Sequence, residues 1–136
     1  MLRRFSKVVF LVLMTTVLAT TGCGSSRADY ANEIRSVLGQ DKRMSPKAGF
    51  IESLFGLSQA RVDNYIDGLK RLDLSRCPPG FQSAYQEHIR AWERYKTAKH
   101  AGYNDAADAA IKDVQQTWLR VDSEARNFGV HDAISE

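Results

Sequence analysis

The sequence predicts an all-α protein: an antiparallel helical bundle of about four main helices behind a cleaved N-terminal leader. Three observations carry this. From Ala107 to Phe128, apolar residues recur by steps of four and three (Ala107, Ile111, Val114, Trp118, Val121, Ala125, Phe128), the spacing of one helical face. A second stripe, Phe81, Tyr85, His88, Trp92 and Tyr95, keeps the same steps and is joined to the first by the short link AGYN at 101–104. No stretch sustains the period of two with β-branched enrichment that a strand requires.

Taken in chain order, the first element is a leader. MLRRFSK carries Arg3, Arg4 and Lys7, and VVFLVLM (8–14) follows, fading into TTVLATT. The apolar run from Val8 to Thr21 is 14 residues, short of the roughly 17–25 that a spanning helix needs. A basic start, a short apolar stretch and then small residues make an export signal rather than part of a fold. The positive flank fits the cytoplasmic side during insertion.

The stretch VLATTGCGSS (17–26) decides what kind of signal this is. Small residues lead to Gly22 and Cys23, and a spacer-like GSSR follows; this resembles the signal peptide of bacterial membrane lipoproteins. Thr20 stands where that pattern usually has Leu. The resemblance covers about the first 26 residues and implies that Cys23 is the lipid-attachment residue, with cleavage just before it. It implies a division into a signal peptide (1–22), a lipidated Cys with a short tether (23–28) and a helical domain (29–136). It also implies an exported, membrane-anchored location, and Gly24 after the Cys leans toward the outer membrane in a cell with two membranes. The competing reading is a plain secretory leader cut near Ala19, leaving Cys23 as a mature thiol; the order of charge, apolar run, small residues and Cys favours lipid attachment.

Within the domain, Tyr30, Ile34, Val37 and Leu38 predict a first helix of about three turns, stopped at Gly39. Ser45-Pro46 opens a shorter segment with Phe50, Ile51, Leu54 and Phe55, cut at Gly56. Ser58 is a suitable N-cap for a helix that turns Val62, Tyr65, Ile66, Leu69 and Leu72 inward. DLSRCPPG (73–80) is a turn set by two prolines and a glycine. Pro78 or Pro79 then fits the first position of the next helix, where a missing N–H is harmless. That helix ends near Gly102. Asn104 is the expected N-cap of the last helix, with Asp105 and Asp108 at its positive end and Gly129 just past its close. The short link makes the last two helices an antiparallel hairpin.

Composition narrows the function classes. The formal charge of +3 comes from 19 Lys and Arg against 16 Asp and Glu. Arg3, Arg4 and Lys7 lie in the leader and every acidic residue lies beyond it, so the mature chain is neutral. It carries no electrostatic footprint for nucleic acid or an anionic surface. Two cysteines without a Cys-x-x-Cys pair exclude a dithiol redox motif and c-type haem attachment.

Two residues stand out as candidates for chemistry. His88, between Tyr85 and Trp92, suggests a haem or metal ligand, but bundle metal sites need several converging ligands such as Glu-x-x-His pairs, and none occurs. A half-buried structural histidine is the better expectation. Cys77, before Pro78 and beside Arg76, could be an activated thiol at a helix start. The alternative is a small apolar residue filling the turn, which suits an exported protein whose other cysteine carries lipid. Trp92, Trp118 and the tyrosines read as core. No phosphate loop, His-Glu-x-x-His or Gly-x-Ser-x-Gly is present.

The functional expectation is a non-enzymatic, lipid-anchored helical module that binds an unidentified envelope protein, with no metal, cofactor or nucleic acid. An assembly factor, an inhibitor or an immunity-type protein would fit. The alternative is a carrier of a small ligand or haem on the Tyr85/His88/Trp92 face.

Overall fold

The computed structural model describes residues 25–45 and 58–131. The leader with Cys23, and the segment holding Phe50, Ile51, Leu54 and Phe55, lie outside the described residues. Among those described are four helices and no strand: α1 (Arg27–Met44), α2 (Gln59–Lys70), α3 (Pro79–His100) and α4 (Asn104–Arg126). None of them is long and apolar enough to cross a membrane.

α1 opens with a reciprocal cap. The Asp29 N–H donates to Ser26 Oγ at 3.1 Å, and the Ser26 N–H donates to Asp29 Oδ2 at 2.8 Å, so two otherwise orphaned donors satisfy each other. Arg27 and Ala28 are therefore already helical, inside the stretch expected to be tether. The expected stop at Gly39 is not observed, and α1 runs through it to Met44. A mid-helix glycine costs roughly 0.5–1 kcal/mol. The contacts beyond it offset this: Asp41 is buried under two tyrosine hydroxyls, and Met44 packs over Gly68. The helix ends instead at Ser45, extended at ψ 133°, because the residue before a proline is pushed out of the helical region.

In α2, Val62, Tyr65, Ile66 and Leu69 are buried, as their spacing predicts. Ser58 holds the N-cap position, but its hydroxyl makes no cap bond; its carbonyl accepts from the N–H groups of Arg61 and Val62.

α3 starts at Pro79 with Pro78 as N-cap. Its far end closes in a Schellman turn: Tyr103 N–H donates to Ala98 C=O at 3.1 Å and Gly102 N–H to Lys99 C=O at 3.2 Å, with Gly102 at φ +74°. The same Tyr103 is the N-cap of α4, its carbonyl accepting the Ala107 N–H at 2.9 Å. One residue thus ends one helix and begins the next, which displaces the expected cap, Asn104, into the first helical position. A second Schellman turn ends α4, with Val130 N–H on Ala125 C=O and Gly129 at φ +78°.

Cross-helix pairs set the topology. Arg120 bonds Glu87 and Arg94 bonds Asp113, so partners occur in opposite order and α3 and α4 are antiparallel. Lys70–Glu93 and Lys96–Asp63 place α2 antiparallel to α3. α1 lies alongside the start of α3, with Glu33 on Arg76 and Asp41 on Tyr85. It meets the end of α4, where Arg27 donates to the Asn127 carbonyl at 2.7 Å and Tyr30 sits edge-on to Phe128. The largest side chains wholly inside are Trp92, Tyr85 and Phe81, backed by Ile34, Ile66, Leu69 and Val121. Trp118, expected in the core, is only half-buried, lying against the His88 ring.

Candidate functional site

Among the described residues, most of the polar side chains of the core gather in one cluster to which each of the four helices contributes. Asp41 comes from α1, Tyr65 from α2, Tyr85, His88 and Trp92 from α3, and Thr117 from α4. Tyr85, His88 and Trp92 lie within successive turns of one face, so the local helix lines them up; the other three arrive only through packing.

Asp41 is 3% exposed, and each carboxylate oxygen receives one hydroxyl: Tyr65 on Oδ1 at 2.7 Å and Tyr85 on Oδ2 at 2.6 Å. Burial pushes its pKa above the ordinary carboxylate value, against the pull of the two hydrogen bonds, Tyr85's and then Tyr65's. Both phenols are pushed well above their usual range, chiefly by burial and then by the neighbouring carboxylate. They stay protonated, and both protons are committed to Asp41.

His88 is buried, and both ring nitrogens are engaged. Trp92 Nε1–H can only donate, so His88 Nε2, 3.1 Å away, is the acceptor. The ring proton therefore sits on Nδ1, which donates to Thr117 Oγ1 at 3.0 Å. The threonine hydroxyl in turn donates to the Asp113 and Val114 carbonyls. Burial lowers the His88 pKa to about 4, so the ring is neutral at physiological pH. The expected half-buried histidine is thus fully inside, with both nitrogens held by protein partners. Tyr85, His88 and Trp92, the face a carrier would use, are packed inside the bundle at 0%, 3% and 0% exposure.

Cys77 is buried at the turn before α3, its carbonyl accepting from Gln82 Nε2 at 2.6 Å. Desolvation, then Glu33 and Asp73, push its thiol pKa up to about 11. An activated nucleophile needs the opposite shift. Beside it lies a half-open cavity of about 360 Å³ at the end of the bundle where α1 begins, lined by Asp29, Tyr30, Glu33, Arg76, Cys77 and Gln82. Its charges are engaged: Glu33 pairs with Arg76 at 2.8 Å, and Asp29 caps α1.

No family model, curated protein or solved structure matches this chain.

Among the described residues no group of three or more His, Cys, Asp or Glu is arranged to hold a metal ion. Two buried carboxylates went unforeseen. Asp41 continues the Ile34–Val37 stripe by another step of four, a signal hidden by ending the helix at Gly39. Asp122 lies four residues after Trp118 on the same face; its Oδ2 accepts from Arg126 Nε at 2.7 Å, while its buried Oδ1 has no hydrogen-bond partner.

Proposed function

We propose that this chain is an exported lipoprotein, anchored through Cys23, whose helical domain acts by contact with another envelope protein rather than by catalysis. The observation that carries the reading is the ordered leader: Arg3, Arg4 and Lys7, then VVFLVLM, then small residues up to Gly22-Cys23. Two or more acyl chains give stable anchoring where one is marginal. The domain lends support in two ways. Its candidate chemical groups are turned inward and engaged with one another, in the Asp41–tyrosine and His88–Trp92–Thr117 bonds. Its surface carries mixed, locally paired charge, as in Arg120–Glu87 and Arg94–Asp113. Gly24 favours the outer membrane as its address if the cell has two membranes.

The test is Cys23→Ser in the native host. The wild-type chain should partition with membranes and show a mature mass raised by acyl chains; the variant should lose the acylation and be recovered unprocessed or soluble. Normal anchoring and an unchanged mature mass in the variant would overturn the reading. Affinity capture of the tagged, anchored protein from its own envelope then identifies the partner.

A further inference from the structure

We infer that the bundle stands with one particular end on the bilayer, contacting the headgroup layer without inserting: the end formed by the start of α1, the turn at Arg76–Pro79 and the Schellman turn after α4. This rests on the proposed anchoring at Cys23 and specifies the surface that anchor brings to the membrane.

The first argument is length. Ser26 is fixed by its reciprocal cap with Asp29, and only three residue steps separate it from Cys23. Whatever their conformation, they reach at most about 11 Å. The tether expected at 23–28 would have allowed more, but Arg27 and Ala28 are helical.

The second argument is rigidity. α1 is not a free spacer: Arg27 is hydrogen-bonded to the Asn127 carbonyl, Tyr30 is stacked edge-on against Phe128, and Glu33 is paired with Arg76. These three contacts fasten the start of α1 to the two other elements at that end, so the anchor point moves with the whole domain. The opposite end, the Gly102–Tyr103 turn, lies a full helix away. α3 has 22 residues, which at 1.5 Å each is about 33 Å, three times the reach of the tether.

The third argument is the chemistry of the near end. Its surface is polar with both signs present, Arg27 and Arg76 beside Asp29 and Asp73. Among the described residues, its larger apolar groups are buried or partly buried: Val130 is inside, and Phe128 packs edge-on against Tyr30. Such a surface suits a headgroup layer, and among its described residues no large apolar side chain is exposed to insert into acyl chains. Tyr103, by contrast, is 68% exposed at the far end, where the tether leaves it clear of the membrane.

The experiment uses the acylated full-length product in vesicles of zwitterionic lipid, in a Cys77→Ser background, with a fluorophore on a cysteine introduced at either Asn127 or Tyr103. Flotation with the vesicles is measured on the same material. A nitroxide on the lipid headgroup should abolish most of the fluorescence at 127 and leave that at 103 nearly unchanged, while a nitroxide at the acyl terminus should affect neither. Inserting a long Gly/Ser stretch between Gly24 and Ser25 should erase the difference. Flotation with equal headgroup quenching at both positions, or stronger quenching at 103, overturns the orientation alone. Quenching at 127 from the acyl terminus overturns the non-inserting contact. Failure to float overturns the anchor at Cys23 and this inference with it.

Discussion

His88 carries the sharpest consequence of burial. Its ordinary pKa is 6.5 and its folded value about 4, so the unfolded chain takes up a proton first as pH falls. The stability associated with the neutral ring is complete above the unfolded pKa and is lost progressively from about 6.5 down to about 4, by an amount of about 3 kcal/mol. Asp41 works in the other sense: its folded pKa is raised, so protonation favours the folded state as pH falls. The comparison that isolates His88 is therefore wild type against His88→Gln, followed by denaturant unfolding from pH 8 to 4. The variant should be less stable at neutral pH and show a flatter decline below 6.5; parallel curves would contradict the buried neutral ring. Cys77 offers a second test. With its thiol pushed up to about 11 and its side chain buried, it should be alkylated slowly in the folded protein at neutral pH and rapidly once denatured. Fast native alkylation with a midpoint below the ordinary thiol value would make it a candidate reactive group.

At the scale of an element, the informative residues are glycines of opposite meaning. Gly102 sits at φ +74° in the turn between α3 and α4, with no atom within 4 Å of a built Cβ. Replacing it with Ala meets no clash but forces a left-handed conformation on an L-residue, at about 1 kcal/mol. Gly39 sits inside α1, and a Cβ there would meet only Arg43 Nη1 at 3.7 Å, an ordinary contact. Gly39→Ala should raise stability by about 0.5–1 kcal/mol through helix propensity and chain entropy. Thermal or urea denaturation of the pair checks both signs. Destabilisation by Gly39→Ala would mean that the helix stops where the sequence alone suggests. The aromatic positions separate similarly: Trp92 is wholly inside, whereas Trp118, on the equally regular stripe of α4, keeps part of its surface in solvent. Periodicity placed both on inward faces, but depth depends on which neighbouring helix lies over each.

For the molecule as a whole, the polar cluster is what ties the four helices into a specific arrangement. Apolar faces tolerate sliding, whereas a displaced Asp41 or His88 would leave a buried charge or ring nitrogen unpaired, typically at 1–3 kcal/mol or more. The hairpin of α3 and α4 is held by its buried apolar faces and by the His88–Thr117 bond, with exposed ion pairs adding little; α2 and α1 join it through Tyr65 and Asp41. The same packing fastens the start of α1 to the end of α4, so an anchor at Cys23 would govern the orientation of the entire domain.

Local sequence dictates the all-α class, the inward faces of α2, α3 and α4, the start of α3 at the prolines, and the glycine-terminated turns after α3 and α4. These depend on interactions within a few residues: side-chain spacing around a helix, the missing N–H of proline, the open φ of glycine. Half of the polar cluster was legible for the same reason, since Tyr85, His88 and Trp92 lie in successive turns on one face. Tertiary structure decided the rest. Asp41 is an acceptor because Tyr65, 24 residues on, and Tyr85, 44 residues on, converge on it. The energy of that convergence carries α1 past a glycine that local propensity marks as its end. Thr117 became the partner of His88 only when α4 folded back on α3, and Asn104 lost its capping position to a turn shared by two helices. Local spacing states which residues share a face; only packing states what that face meets.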